Sequence, residues 1–296
     1  MNRVWLCGWC GASLMVRTGA KQTSVFSSKH LMVGSAPMML REKTVIVTGV
    51  GVGLGRECAA SALREGANVV LAARTQANLD TVVADLDPSG ERMVAQATDI
   101  TDPDACGALV RVAKERFGGV DALIQVAAYE HAWGGLYETD LASWRAAFET
   151  NVLGALTVLR PVAEAMKERG GGAVVLIGSQ SMFKPTLPQA GYAASKGALL
   201  SAMYYLADEL GPHNIRCNMV VPSWMWGPPV EMHVKGQAKY KRISREEALQ
   251  EIVGGFPLRR MTEDGEVADV VMFFASDYAK AVTGQHLLVN AGEMMR

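Results

Sequence analysis

The sequence predicts an α/β fold built on one doubly wound parallel sheet, and two observations carry that prediction. Short apolar runs rich in β-branched residues alternate with stretches of helical period. A glycine-rich turn lies between the first run and the first helix. Strands that alternate with helices are joined by right-handed crossovers, which give a parallel sheet covered on both faces. No linker or internal repeat interrupts the pattern, so we predict a single domain.

Each element follows from a local pattern. The clearest helix start is at Asp102, an N-cap residue followed by Pro103 in the first turn. In parallel sheets ligands bind beyond the carboxyl ends of the strands, and Gly49, Asp99, Ala127 and Ser179 all follow strands. The predicted strands are 44–48, 68–73, 92–97, 122–126 and 173–177, and the predicted helices are 56–64, 75–86, 102–117, 141–169 and 192–210.

Composition excludes several classes of protein. The chain has 296 residues and 49% hydrophobic content, which is ample for a core, and a formal net charge of -1 with no long basic block. This charge gives no reason to expect nucleic-acid binding. No run of about eighteen apolar residues occurs, so no membrane span is predicted. The chain has five cysteines, an odd number, and they are scattered along the sequence, which favours a reducing compartment and a cytoplasmic protein. Their pattern predicts no metal site.

Residues 1–41 differ from the rest. They contain arginine and lysine but no acidic residue, and they show no strand or helix period. This composition is typical of an organelle presequence, which would place the protein in the mitochondrial matrix, while Val4 to Val16 resembles a weak signal-peptide core. A third interpretation is sequence upstream of a true start at Met38 or Met39. We predict a disordered extension over 1–41 and a folded domain over 42–296.

A tyrosine and a lysine one helical turn apart are the leading candidates for catalysis. Tyr192 and Lys196 are four residues apart on a predicted helix, so both lie on one face. A nearby ammonium favours phenolate over phenol, and we therefore expect a lowered pKa for Tyr192. A phenol tuned in this way suits proton transfer to a carbonyl or from a secondary alcohol. Ser179, delivered by a buried strand, is the expected partner.

The glycine-rich turn predicts a nucleotide site. Gly49, Gly51, Gly53 and Gly55 come after a buried strand and precede a helix. Such a turn exposes backbone N–H groups and a helix N-terminus to a diphosphate, and side chains there would block the approach.

Together these motifs resemble the short-chain dehydrogenase/reductase family, in its single-domain form with a Rossmann-type sheet. The resemblance covers roughly residues 43–292. It implies that the protein is an oxidoreductase using a nicotinamide cofactor, with Asn151, Ser179, Tyr192 and Lys196 as the catalytic set. By the same resemblance the cofactor-binding residues are Thr48, Gly49, Gly53, Gly55, Asp99, Ala127, Tyr192, Lys196 and Pro222.

The resemblance also implies a mechanism. In the ketone-reducing direction, the hydroxyls of Ser179 and Tyr192 bind the substrate oxygen, and Tyr192 supplies the proton. Lys196 holds the ribose hydroxyls, and Asn151 anchors a water that replaces the proton through Lys196. The chain departs from the family pattern at Gln125 to Ala128, where two sheet-supporting amides are changed, and at Ser223, Gly227 and the ending 289–292.

Cofactor choice is predicted from the end of the second strand. A carboxylate there would bind the ribose of NAD and repel a 2′-phosphate. This chain has Ala73 followed by Arg74, whose guanidinium can bind a phosphate. We therefore expect NADP(H), with NAD(H) as the less favoured cofactor. The alternative interpretation of Arg74 is a solvated surface charge.

A long insertion over 223–257 predicts a substrate lid. It is rich in tryptophan and methionine and contains two helical stretches, one opened by a capping box from Ser244 to Glu247. An aromatic wall favours a bulky apolar alcohol or ketone, such as a steroid or terpenoid. The alternative is that these side chains pack the lid or a subunit contact. The predicted substrate residues are Trp133, Phe183, Trp224 and Trp226.

Two other functions stay open at this point. One is reduction of 3-oxoacyl groups on an acyl carrier protein, which the acidic pair Asp208 and Glu209 disfavours. The other is a non-catalytic regulator that senses cofactor, which the complete catalytic set disfavours. The resemblance further implies a homodimer or homotetramer. The apolar face formed by Leu199, Met203, Leu206 and Leu210 suits either core or interface.

Overall fold

A computed structural model describes residues 38–295. In chain order its main elements are β1 (Thr44–Thr48), α1 (Leu54–Arg64), β2 (Asn68–Ala73), α2 (Gln76–Leu86), β3 (Met93–Ala97), α3 (Pro103–Phe117), β4 (Ala122–Gln125), α4 (Leu141–Phe148), a π-helical turn (Glu149–Gly154), α5 (Ala155–Glu168), β5 (Gly172–Ile177), α6 (Ala190–Leu210), β6 (Ile215–Pro222), β7 (Met225–Trp226), α7 (Pro228–Lys241), α8 (Arg245–Val253), β8 (Thr262–Glu263), α9 (Asp264–Ala275) and β9 (His286–Val289).

The main sheet confirms the predicted fold class. Within the described residues it has seven strands in the order β3-β2-β1-β4-β5-β6-β9, and every neighbouring pair is parallel. The order runs outward in both directions from β1, which is the pattern of a doubly wound, Rossmann-type sheet. A crevice opens where the direction of winding reverses, at the carboxyl ends of β1 and β4.

Two hydrophobic cores cover the two faces of the sheet. One contains residues of α3, α5 and α6 packed on alternate strand residues such as Ile46 and Leu123, and the other contains residues of α1, α2 and α9 packed on Val45 and Ile124. On α6, Leu199, Met203 and Leu210 are buried in the first core, and Leu206 packs against it. That apolar face of α6 therefore serves the core.

The predicted long helix over 141–169 is interrupted. Its middle is a π-helical turn, Glu149–Gly154, between α4 and α5. Asn151 lies in this turn and is 1% exposed. Turns of this kind insert one extra residue and often occur at functional sites. Hydrophobic period cannot reveal such an insertion when the flanking helices keep the same buried face.

The insertion over 223–257 contains two helices, as predicted. α7 and α8 follow the short strand β7, and Ser244 and Glu247 form the expected capping box at the start of α8. A second, two-stranded sheet ties the insertion to the domain, because β7 pairs with β8 through Met225 and Thr262. Elements β6, α9 and β9 lie beyond the last predicted helix and complete the sheet and its cover.

The packed chain begins before the predicted boundary at residue 42. Leu40 is fully buried in the second core, and the backbone N–H of Met39 donates to Glu65 at 3.0 Å. Residues 38–41 therefore belong to the folded part. The rest of the predicted extension, 1–37, lies outside the described residues. Across residues 38–295, no helix combines the length and apolar character needed to cross a bilayer.

Candidate active site

In the glycine-rich turn after β1, backbone segments lie so close together that two of the glycines have no room for a side chain. Gly49 has φ of 70°, and a Cβ added to it would lie 2.4 Å from the backbone nitrogen of Ala127. A Cβ on Gly55 would lie 2.4 Å from the carbonyl oxygen of Gly49. Gly53 caps α1 without any side-chain hydrogen bond to the first turn. The N–H groups at this helix start are therefore available to an anion, which fits a cofactor diphosphate.

Gln125 supports the sheet at the position where the chain departs from the amides of the family pattern. The Thr48 hydroxyl donates to Gln125 Oε1 at 2.6 Å and accepts from the backbone N–H groups of Val126 and Ala127 at 3.2 and 3.3 Å. Gln125 Nε2 donates to the carbonyl of Ala127 at 3.2 Å. The longer amide thus joins β1 to the segment after β4, so the local sheet geometry is kept.

A cavity of about 880 Å³ opens at the carboxyl ends of the strands. This volume is within the usual range for small-molecule and cofactor sites. Most of the predicted site residues line it: Gly49, Gly53, Gly55, Arg74, Asp99, Ala127, Trp133, Ser179, Tyr192, Lys196, Pro222 and Trp224. Thr48 is fully buried beneath the glycine turn, and Asn151 is buried behind Tyr129.

Ser179 and Tyr192 meet inside this cavity. A side-chain hydrogen bond links the serine hydroxyl to the phenol. The serine is held at the end of β5 by its own turn, where its oxygen contacts the hydroxyl of Ser181 at 2.9 Å. Lys196 is 2% exposed, and its ammonium donates to the carbonyl of Ile177 at 2.7 Å, 5.7 Å from the centre of the Tyr192 ring. The predicted triad is therefore assembled.

The pKa of Tyr192 corrects one expectation. We predicted that Lys196 would lower it, but burial and the charge of Glu130 raise it above the ordinary tyrosine value, and only the hydrogen bond from Ser179 acts in the opposite direction. Burial lowers the pKa of Lys196 to about 8. The physical reason is that Lys196 is buried and Tyr192 is largely surrounded by protein, so the charged form of each is penalised. At neutral pH Tyr192 is a protonated phenol.

Asn151 is a positioning residue for two segments at once. Its Oδ1 accepts from the N–H of Tyr129 at 2.6 Å, and its Nδ2 donates to the carbonyl of Tyr129 at 3.0 Å. The same Nδ2 is 2.9 Å from the hydroxyl of Ser195, which in turn donates to the carbonyl of Tyr192 at 2.7 Å. Asn151 thus ties the loop after β4 to the first turn of α6.

The far end of the cavity has the features predicted for a nucleoside site. Arg74 is exposed and lines the cavity next to Ala73 and Asp99. Two hydrogen bonds from Thr101 and the nearby charge of Arg74 hold the pKa of Asp99 below its usual range. Among the described residues, no carboxylate forms an ion pair with Arg74.

Only two of the four predicted substrate residues reach the cavity. Trp133 and Trp224 line it, and Trp224 packs against His233 with 5.2 Å between ring centres. Phe183 instead packs against the first core and lies 5.5 Å from the ring of His286. Trp226 points to α8, where the Arg245 guanidinium lies 5.7 Å from its ring. Whether each ring faces the cavity depends on the conformation of short turns, which the sequence pattern does not reveal.

Three acidic residues were missed by sequence reasoning. Glu130 lines the cavity near Tyr192, and Asp264 lines it near Gly53, 3.4 Å from a Cβ placed there. Burial and the charge of Glu57 raise the pKa of Asp264. The Glu293 side chain, 3% exposed, pairs with Lys184 at 3.1 Å and accepts from Ser223. None of the three belongs to a motif recognised in the sequence.

Comparison with known proteins identifies the family of this chain. A family model described as enoyl-(acyl carrier protein) reductase matches residues 49–293. The L-rhamnose 1-dehydrogenase (NAD(P)(+)) of Azotobacter vinelandii is 32% identical over 260 residues, which cover 86% of this chain and 98% of that protein. The chain belongs to the short-chain dehydrogenase/reductase family, and it is an oxidoreductase that uses a nicotinamide cofactor.

Two solved structures show the same fold. An actinorhodin polyketide ketoreductase with NADPH has a TM-score of 0.77 at 31% identity, covering 85% of this chain and 97% of its own. An NAD+-bound xylitol dehydrogenase has a TM-score of 0.78 at 27% identity, covering 86% and 99%. The family resemblance and the Rossmann-type fold predicted from sequence are therefore confirmed.

Proposed function

We propose that this protein interconverts a bulky secondary alcohol and its ketone with NADP(H), using Tyr192 as the general acid and base. The observation that carries the proposal is the contact between Ser179 and Tyr192 in the cavity that also contains the glycine turn. Two hydroxyls at one point can bind the oxygen of a carbonyl. The glycine-rich turn and Arg74 would hold a nicotinamide cofactor in this cavity, and that cofactor would supply or accept the hydride.

The remaining residues hold and supply the proton. In the reducing direction, Ser179 donates a hydrogen bond to the substrate oxygen while the Tyr192 phenol gives up its proton to it. The Lys196 ammonium, next to the ring, stabilises the phenolate that forms. Asn151 keeps Tyr192 in place through Ser195. In the oxidising direction the phenolate removes the alcohol proton.

NADP(H) is the proposed cofactor because Arg74 is exposed on the cavity wall and forms no ion pair with a carboxylate among the described residues. Replacing it in Arg74→Ala should lower kcat/KM for NADPH by about tenfold or more, since a charge-assisted bond to phosphate is lost. The value for NADH should change little. Arg92→Ala, which removes an arginine not among those lining the cavity, is the control. A wild-type preference for NADH would contradict the proposal.

The substrate proposal rests on the two tryptophans that line the cavity. Trp133 and Trp224 offer flat apolar surfaces, which favour a ring-containing ketone or alcohol such as a steroid or terpenoid. A polyhydroxylated substrate is the second candidate, because Glu130 and His233 add polar groups to the same cavity. The relatives reported above carry the names of a sugar, a polyketide and a polyol enzyme.

A substrate panel tests the proposal. Purified protein with NADPH should reduce ring ketones such as 1-indanone and a decalone, as followed by loss of NADPH absorbance. Xylitol and L-rhamnose with NADP+ test the second candidate. A 3-oxoacyl thioester on an acyl carrier protein tests the alternative that exposed Asp208 and Glu209 disfavour. Activity on the carrier thioester alone would contradict the proposed substrate class, and inactivity on every substrate would contradict the proposed reaction.

A further inference from the structure

Glu130 lies on the cavity wall in a segment that is fixed on both sides. On one side, the N–H and the carbonyl of Tyr129 are both bonded to the side chain of Asn151, at 2.6 and 3.0 Å. On the other side, Ala132 is fully buried against the start of α6, where a Cβ added to Gly191 would lie 2.9 Å from that of Ala132. The backbone at Glu130 therefore has little freedom.

The loop that contains Glu130 also packs against the residues that precede Tyr192 in the sequence. Gly134 forms a parallel bridge with Gln189, and its N–H donates to the carbonyl of Pro188 at 2.8 Å. The loop after β4 and the approach to α6 are thus joined at several points. Glu130 is consequently held on the wall of the cavity that contains Ser179 and Tyr192, and its side chain is exposed.

The carboxylate of Glu130 has no polar partner within residues 38–295. It forms no hydrogen bond or ion pair with the residues that the structure describes. Its charge adds to the effect of burial in raising the pKa of Tyr192, and it partly opposes the effect of burial in lowering the pKa of Lys196. An ionised carboxylate accepts hydrogen bonds and cannot donate them. It would attract a donor on a bound substrate and repel an anionic group.

We propose that Glu130 is a specificity-determining residue that accepts a hydrogen bond from a hydroxyl or amino group on the substrate, next to the carbonyl that is reduced. This inference rests on the proposed ketone reduction and narrows its substrate class to α-hydroxy or α-amino ketones and the corresponding vicinal diols and amino alcohols. The tryptophans accommodate the ring, and Glu130 selects the polar substituent. Such a molecule combines the ring of the first substrate candidate with the polar groups of the second.

Three ketones on one skeleton test the inference. The kcat/KM values for 1-indanone, 2-hydroxy-1-indanone and 2-amino-1-indanone are measured with NADPH. The wild type should prefer the hydroxy or the amino ketone over 1-indanone by about tenfold or more, because a bond to a charged acceptor is gained. The substituted ketone with the larger ratio identifies the donor.

Variants assign that preference to the carboxylate. Glu130→Ala should reduce the ratio by about tenfold or more, and Glu130→Gln should give an intermediate value because its amide oxygen is an uncharged acceptor. Any effect of the lost charge on Tyr192 is shared by all three ketones and cancels in the ratio. Glu138→Ala, an exposed carboxylate in the same loop that is not among the cavity-lining residues, should behave as wild type.

Two results would overturn the inference while leaving the proposed function intact. One is a wild-type ratio near or below one for both substituted ketones. The other is a preference that survives in Glu130→Ala. Failure of the wild type to reduce any of the three would instead count against ketone reduction, and against this inference with it.

Discussion

Tyr192→Phe is expected to lower kcat by about 10²- to 10⁴-fold, the usual contribution of a positioned general acid. The variant keeps the ring that packs in the cavity and removes only the hydroxyl that Ser179 contacts. Because burial keeps the pKa of this phenol above its ordinary value, wild-type Tyr192 carries its proton at neutral pH. The lost group is therefore the proposed proton donor itself.

Cofactor binding separates this effect from misfolding. Since the substitution leaves the glycine-rich turn and Arg74 unchanged, NADPH should bind Tyr192→Phe with a Kd within about threefold of wild type, as measured by nucleotide fluorescence. Tyr205→Phe is the matched control, because Tyr205 is on the same helix and 77% exposed. Wild-type turnover in Tyr192→Phe would refute the assignment.

Gly49→Ala is expected to lower the free energy of unfolding by at least about 2 kcal/mol. Two costs combine. The backbone of Gly49 is in the left-handed region, with φ of 70°, and an added Cβ would meet the backbone of Ala127 at 2.4 Å. Backbone atoms cannot turn away as a flexible side chain can, so β1 and the segment after β4 must separate. A loss of this size lowers Tm by about 4–8 °C in a domain of this class.

Gly51→Ala gives the contrast within the same turn. A Cβ added to Gly51 meets nothing within 4 Å, and its φ is outside the left-handed region. Its Tm should stay within about 2 °C of wild type. In Gly49→Ala the NADPH affinity should also fall, because the separated strands disturb the diphosphate site. Equal Tm values for the two variants would contradict the close approach that the structure places at Gly49.

Much of the fold could be predicted from residue pattern. The strands from β1 to β5 and the helices between them were located to within about two residues, because buried parallel strands read as short apolar runs and the Asp102 N-cap marks a helix start. The middle of the helix over 141–169 could not be predicted. Within the π-helical turn there, Asn151 bonds to Tyr129 and Ser195, which are 22 and 44 residues away along the chain, so these contacts are not encoded locally.

The site divides in the same way. Ser179, Tyr192 and Lys196 lie where their spacing predicts, because the end of a strand and one helical turn fix their relative positions. Phe183 and Trp226 do not reach the cavity, since short loops decide which way a ring points. Gln125 replaces an amide of the family pattern, which puts the support of the sheet in question. Its longer side chain nevertheless forms hydrogen bonds with both Thr48 and Ala127.

By itself the sequence determined the family, the parallel sheet and the order of the reacting groups, because these depend on periodicity and on short spacings within one element. Tertiary structure alone decided the pKa of Tyr192, the burial of Lys196 and the presence of Glu130 in the same cavity. The physical reason is that a pKa depends on burial and on charges nearby in space. Glu130 and Tyr192 are brought together by the bonds from Asn151 and the bridge at Gly134, which no local pattern encodes.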